Sequence, residues 1–154
     1  MKCLIVDDDP LSRGAIEYYC GLSEHLDLVG SCESAVDALN FLSKNKIDII
    51  FLDVEMPEMT GLEMLETMSG KSHPYVILVT SKKEYAVDAF EYNVIDYLLK
   101  PVDYVRFLKA INKLLSQKSK DQGEEKDNEI FVKSDLKFVK IKFDQILYVE
   151  AMAD

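Results

Sequence analysis

Residues 48–57, DIIFLDVEMP, decide the fold. The run Asp48–Leu52 is short, apolar and free of polar alternation, the pattern of a parallel strand covered on both faces. It ends on Asp53, an acid at the edge of an apolar run. Working outward, Lys2–Val6, Leu26–Gly30, Tyr75–Val79 and Ile95–Leu99 are runs of the same kind. Leu11–Gly21, Ser34–Ser43, Gly61–Ser69 and Tyr85–Tyr92 lie between them, and Tyr104–Ser116 follows the last. In Ala35, Leu39 and Leu42, and again in Phe107, Ile111 and Leu114, apolar residues recur at helical spacing. Asp103 is placed to cap the last helix. Five β/α units result, and the right-handed crossover rule winds them into an α/β protein with a doubly wound parallel sheet.

The 154 residues suffice for one ordinary domain plus a remnant. At 48% hydrophobic and 30% charged, the chain has the composition of a core-forming globular protein. No apolar run reaches the ~18 residues of a membrane span. The N-terminus turns acidic at Asp7, which excludes a signal peptide, so a cytoplasmic protein is expected. Cys3, Cys20 and Cys32 lack metal-ligand spacing and read as buried reduced thiols. The net charge of −10 argues against nonspecific nucleic-acid binding by the whole chain. Residues 1–117 carry 19 acids against 11 bases, and residues 118–154 carry 9 against 7.

Residues 117–128, QKSKDQGEEKDN, contain no apolar side chain and read as a solvated linker over 118–128, although their Lys and Glu would also let the last helix run on. Beyond it Glu129–Lys133 reads as a strand and Ser134-Asp135 as a turn. Lys137–Phe143 alternates strictly, as a half-exposed antiparallel strand does, and Ile146–Val149 is a third. Some 26 residues of hairpin cannot bury a core alone, so 129–154 reads as the opening of a second domain.

Ligands of such sheets bind beyond the carboxyl ends of the strands. There strand 1 delivers Asp7-Asp8-Asp9, strand 3 Asp53, strand 4 Thr80-Ser81 and strand 5 Lys100-Pro101. Taken singly, a strand-end Asp is a helix cap or a turn residue, and Asp9-Pro10 fits that role. The ordered set does not reduce to caps. Clustered carboxylates repel unless a cation joins them, and an all-oxygen cluster suits Mg²⁺. The carboxylate of Asp53 can then attack a phosphoryl group, while Lys100 and the Thr80 hydroxyl hold its oxygens.

Through Val6-Asp7-Asp8, Asp53-Val54-Glu55-Met56-Pro57, Thr80-Ser81, Tyr97 and Lys100-Pro101, residues 1–117 resemble the response regulator receiver domain. The resemblance implies a flavodoxin-like (βα)5 fold with sheet order 2-1-3-4-5. It implies a phosphoacceptor rather than an enzyme, phosphorylated on Asp53 by a sensor histidine kinase. Asp8 would ligate Mg²⁺ directly and Asp7 through water, with Asp53 and the carbonyl of Glu55 completing the set. Thr80 and Lys100 would bind the phosphoryl group, Thr80 and Tyr97 would form the switch, and the Lys100–Pro101 bond would be cis. Glu55 and Lys82 occupy the two positions that flank the acyl phosphate in the family. Their opposite charges suit either a salt bridge over the site, giving a long-lived phosphorylated state, or two solvated side chains.

Residues 129–150 resemble the first strands of the LytTR-type DNA-binding domain, and Asp96-Tyr97-Leu98-Leu99-Lys100-Pro101 resembles the receivers of that subfamily. Lys133, Lys137, Lys140 and Lys142 suit DNA contact or the guarding of an edge strand. A whole domain of that type needs about 100 residues, so DNA binding is expected of the complete parent protein and not of this chain. An unfinished apolar hairpin favours a homodimer. Two rival readings remain: an aspartate-nucleophile phosphatase using Asp7-x-Asp9, and a stand-alone receiver acting through protein–protein interaction.

Overall fold

The computed structural model describes residues 1–68, 70, 73–85, 91–124, 129–134 and 137–142. Within residues 1–114 lie the strands β1 (Lys2–Val6), β2 (Asp27–Cys32), β3 (Ile49–Asp53), β4 (Tyr75–Thr80) and β5 (Asp96–Leu99). They form one parallel sheet in the order β2-β1-β3-β4-β5, the doubly wound arrangement expected. The described helices are α1 (Pro10–Gly21), α2 (Ala35–Leu42), α3 (Gly61–Thr67) and α4 (Tyr104–Glu124). The helix expected at Tyr85–Tyr92 falls largely on residues outside the described set.

Sequence chemistry sets the helix starts. Asp9 caps α1 by accepting from the backbone N–H groups of Leu11 and Ser12, with Pro10 in the first helical position. Ser34 caps α2, and Thr60 with Glu63 forms a capping box on α3. The carboxylate of Asp103 accepts from the N–H of Arg106 at 3.0 Å and caps α4 as anticipated. Strand β2 runs two residues beyond the expected Gly30, because its ladder with β1 continues to the pair Val6↔Cys32 after an irregularity at Cys3/Leu4.

Every residue of β3 is buried, so the central strand is covered on both faces. On one face Leu4, Ile50, Leu52 and Leu78 pack with Ala35, Ala38 and Met64 of α2 and α3. On the other, Phe51 stacks on Phe107 of α4 with ring centroids 5.5 Å apart, and Tyr19 of α1 lies 5.4 Å from Phe107. All three cysteines are free and buried, and the thiols of Cys3 and Cys20 are 4.0 Å apart.

The stretch read as a linker is helical as far as Glu124. Its polar residues are good helix formers and pair along the helix. Gln117 Nε2 donates to Asp121 Oδ1 at 2.8 Å, and Ser119 Oγ donates to the Leu115 carbonyl at 3.0 Å. In residues 115–154, Glu129–Ser134 (β6) pairs antiparallel with Lys137–Lys142 (β7), with Glu129 opposite Lys142 and Ser134 opposite Lys137. The turn residue Asp135, Phe143 and the strand expected at Ile146–Val149 lie outside the described residues. No helix of the described residues is long and apolar enough to cross a membrane.

Candidate functional site

The carboxyl ends of β1, β3, β4 and β5 meet at one edge of the sheet, and their polar residues are brought together there. Asp7, Asp53 and Thr80 are buried polar residues among the otherwise apolar core. Asp8, one residue on, is exposed. A carboxylate oxygen from each of Asp7, Asp8 and Asp53 lies within 4.8 Å of the others, a separation one cation can span. The donors are all oxygens, and one of the three is open to water. That set fits Mg²⁺, which takes few protein ligands and keeps several waters.

Lys100 reaches this cluster from β5. Its Nζ lies 2.8 Å from Oδ2 of Asp7 and 3.1 Å from Oδ2 of Asp53. Burial, opposed by Lys100 and reinforced by the neighbouring Asp7, pushes Asp53 up to about 6. Against the burial that would lower it, Asp7 and Asp53 hold the Lys100 ammonium above its usual range. Thr80 Oγ1 accepts from the N–H of Lys82 at 3.2 Å, and Asp53 Oδ1 accepts from the N–H of Glu55 at 3.3 Å. The Lys100–Pro101 peptide is cis.

Glu55 and Lys82 form an ion pair, Nζ to Oε1 2.5 Å, joining the loops that leave Asp53 and Thr80. Glu55 holds the Lys82 ammonium above its usual range. Tyr97 is partly buried against the core cluster. Asp9 takes no part in the acid cluster, because its side chain is committed to capping α1.

Three contributors escaped the reading of the sequence. Ser12 donates from Oγ to Oδ2 of Asp7 at 2.6 Å, and Arg13 donates from Nη1 to the Asp7 carbonyl at 2.6 Å. Nη2 of Arg13 pairs with Glu33 at 2.9 Å and ties the acid loop to the end of β2. Their signal was position: both lie in the first turn of the helix that follows the acid pair. The third is Gly61, whose added Cβ would lie 2.1 Å from the carbonyl oxygen of Asp53. A glycine opening a helix where Ala is intrinsically better was the available sign.

Comparison with known proteins gives the family and the fold. Residues 3–112 match the family described as the response regulator receiver domain. The chain is 38% identical over 120 residues to the transcriptional regulatory protein BtsR of Escherichia coli, an alignment covering 78% of this chain and 50% of that protein. An uncharacterised response regulatory protein of Vibrio vulnificus is 38% identical over 114 residues, 74% of this chain and 47% of its own. The chain thus spans about half the length of the curated relatives it matches. Among solved structures, the response regulatory domain of mrkE from Klebsiella pneumoniae superposes with a TM-score of 0.71 at 35% identity, covering 76% of this chain and 97% of that one. The receiver domain of AraT from Geobacillus stearothermophilus gives 0.67 at 28% identity, covering 79% and 97%. Because the family match spans residues 3–112 of the 154, the chain belongs to the response regulator receiver domain family.

Proposed function

We propose that this receiver takes a phosphoryl group on Asp53 from a sensor histidine kinase and passes the change to a DNA-binding output. The observation that carries the reading is the convergence on buried Asp53 of Lys100, Thr80, Asp7 and Asp8 from three other chain segments. An oxygen of the Asp53 carboxylate attacks phosphorus in line. The new P–O bond forms as the bond to the donor breaks, and the electron pair leaves with the donor's nitrogen or oxygen. Lys100 and the Thr80 hydroxyl hold the phosphoryl oxygens. Asp8, Asp53 and the Glu55 carbonyl, with Asp7 through water, would hold Mg²⁺, which when bound would supply positive charge to the incoming phosphoryl group.

Thr80 lies in β4 beside β5, where Leu78 is paired with Tyr97 and Thr80 with Leu99. A move of Thr80 toward the phosphate gives the Tyr97 ring room to turn inward, which is the proposed switch. The Glu55–Lys82 pair spans the two loops beside the acceptor and screens the acyl phosphate from water. Exposed Leu11 on α1 and the cleft of about 320 Å³ between α1 and Lys100–Val102 offer the kinase an apolar foothold next to Asp53.

For the output, the support is the resemblance of residues 129–150 to a LytTR-type DNA-binding domain, the β6–β7 ladder, and a relative named as a transcriptional regulator. Dimerisation through the tail strands belongs to the same proposal. The phosphatase reading needs Asp9 as a free acid, and the cap on α1 occupies it.

The test is incubation with Mg²⁺ and acetyl phosphate followed by intact mass. A phosphate-sized gain abolished by Asp53→Asn is expected. A gain that survives Asp53→Asn and disappears with Asp7→Asn would transfer the nucleophile to the end of β1.

A further inference from the structure

Arg106, in the first turn of α4, makes three short hydrogen bonds to β5. Nη1 donates to Asp96 Oδ2 at 2.7 Å, and Nη2 donates to Asp96 Oδ1 at 2.9 Å and to the carbonyl of Tyr97 at 2.7 Å. Its main-chain N–H is held at the same time by the capping carboxylate of Asp103. Strand β5 closes the sheet, with β4 on one side only. The guanidinium therefore satisfies a carbonyl that a further strand would otherwise take. Between the two anchored ends, Asp96-Tyr97 and Asp103–Arg106, lie Lys100 and Pro101.

Resting on the phosphoacceptor reading above, we propose that Arg106 is a positioning residue that braces the Lys100 turn. One guanidinium clamps the neck of the loop that carries the phosphoryl-binding ammonium and the Tyr97 strand. Inside the loop, the N–H of Lys100 bonds the Thr80 carbonyl at 2.8 Å, and its long side chain must still place Nζ between Asp7 and Asp53. With the neck open, β5 and the turn shift together, and an ammonium on a four-carbon stem loses its register against the acceptor. The fork geometry is essential, because a lysine can neutralise Asp96 but cannot also grip the Tyr97 carbonyl in the same plane. Lys113, 3.8 Å from Asp96 Oδ1, supplies charge of that kind already.

A plain helix–strand staple would cost stability alone. A brace affects the rate of phosphoryl transfer in molecules that are fully folded. The test uses the whole 154-residue chain as wild type, Arg106→Lys and Arg106→Gln. It measures the phosphorylation rate from acetyl phosphate with saturating Mg²⁺, Mg²⁺ affinity by calorimetry, and thermal melting. Both variants are expected to be slowed by about tenfold, the scale of a small misplacement of a reacting group. Mg²⁺ affinity should be undiminished, because Arg106 touches none of Asp7, Asp8 and Asp53. A folded Arg106→Lys chain phosphorylated as fast as wild type overturns the inference. So does a slower rate matched by an equal loss of Mg²⁺ affinity, which marks general damage to the site. If Arg106→Gln does not fold, Arg106→Lys decides the matter. A wild-type chain that gains no phosphate overturns the phosphoacceptor reading and this inference with it.

Discussion

Nζ of Lys100 lies 3.1 Å from Oδ2 of Asp53, so the proposed acceptor is held by the group proposed to receive its phosphate. Lys100 is the main influence opposing the burial that raises Asp53. In Lys100→Met, the metal-free Asp53 carboxyl should titrate above the value of about 6 set in the wild type. Carbonyl ¹³C NMR of aspartate-labelled protein reads this directly. An unchanged or lower titration point contradicts the pairing.

Asp53 also links stability to pH. Its folded value of about 6 exceeds the ordinary 3.8, so between those values the native state binds more protons than the unfolded one. Its contribution is most favourable below about pH 4, weakens as pH rises through about 6, and is constant above. Asp53→Asn should therefore stabilise the metal-free protein at pH 7.5 by about 1–3 kcal/mol and change little at pH 4. Urea melts at the two pH values measure the difference, and a loss of stability at pH 7.5 is the contrary result.

Binding of Mg²⁺ is expected to relieve the same crowding. At a hundredfold excess over its Kd the ion should add about 2.7 kcal/mol to the folded state. Asp8→Asn should remove most of that gain while leaving metal-free melting nearly unchanged, since Asp8 is exposed. Melting curves with Mg²⁺ and with a chelator distinguish the two.

The ion pair between Lys82 and Glu55, both substantially exposed, is the proposed screen over the acceptor. The double variant Glu55→Gln, Lys82→Gln is expected to lose phosphate several-fold faster without a change in melting temperature. Decay of the phosphorylated mass after removal of acetyl phosphate measures it, and an unaltered half-life returns these residues to the role of solvated charges.

Gly61→Ala should fail for steric reasons. A Cβ 2.1 Å from the Asp53 carbonyl forces the β3–α3 connection apart, at about 3 kcal/mol. Denaturant melts should show that loss together with slower phosphorylation, whereas Gly14→Ala, with open space around it, should show neither.

Much of this was legible in the sequence because it depends on short-range rules. The apolar runs ending in Asp7, Asp53, Thr80 and Lys100 place all four at one sheet edge once the crossovers are right-handed. The clamp of Arg106 on Asp96 and the bond from Ser12 to Asp7 depend on rotamers, which periodicity does not encode. The extension of α4 to Glu124 stood only as an alternative to a linker, for a different reason. A polar stretch with helix-forming residues suits a linker and an exposed helix equally, and the pair Gln117–Asp121 only acts once the helix is there.

The cap on Asp9 has a consequence for which ion can be accommodated. With that carboxylate turned to the helix, the cluster presents three carboxylates and one ammonium, formally two negative charges. A divalent cation brings the centre to electroneutrality. A monovalent ion leaves it anionic and hostile to an incoming phosphoryl group, and a trivalent ion overshoots. A divalent charge is thus the one this cluster would balance, because the helix cap keeps a fourth acid out.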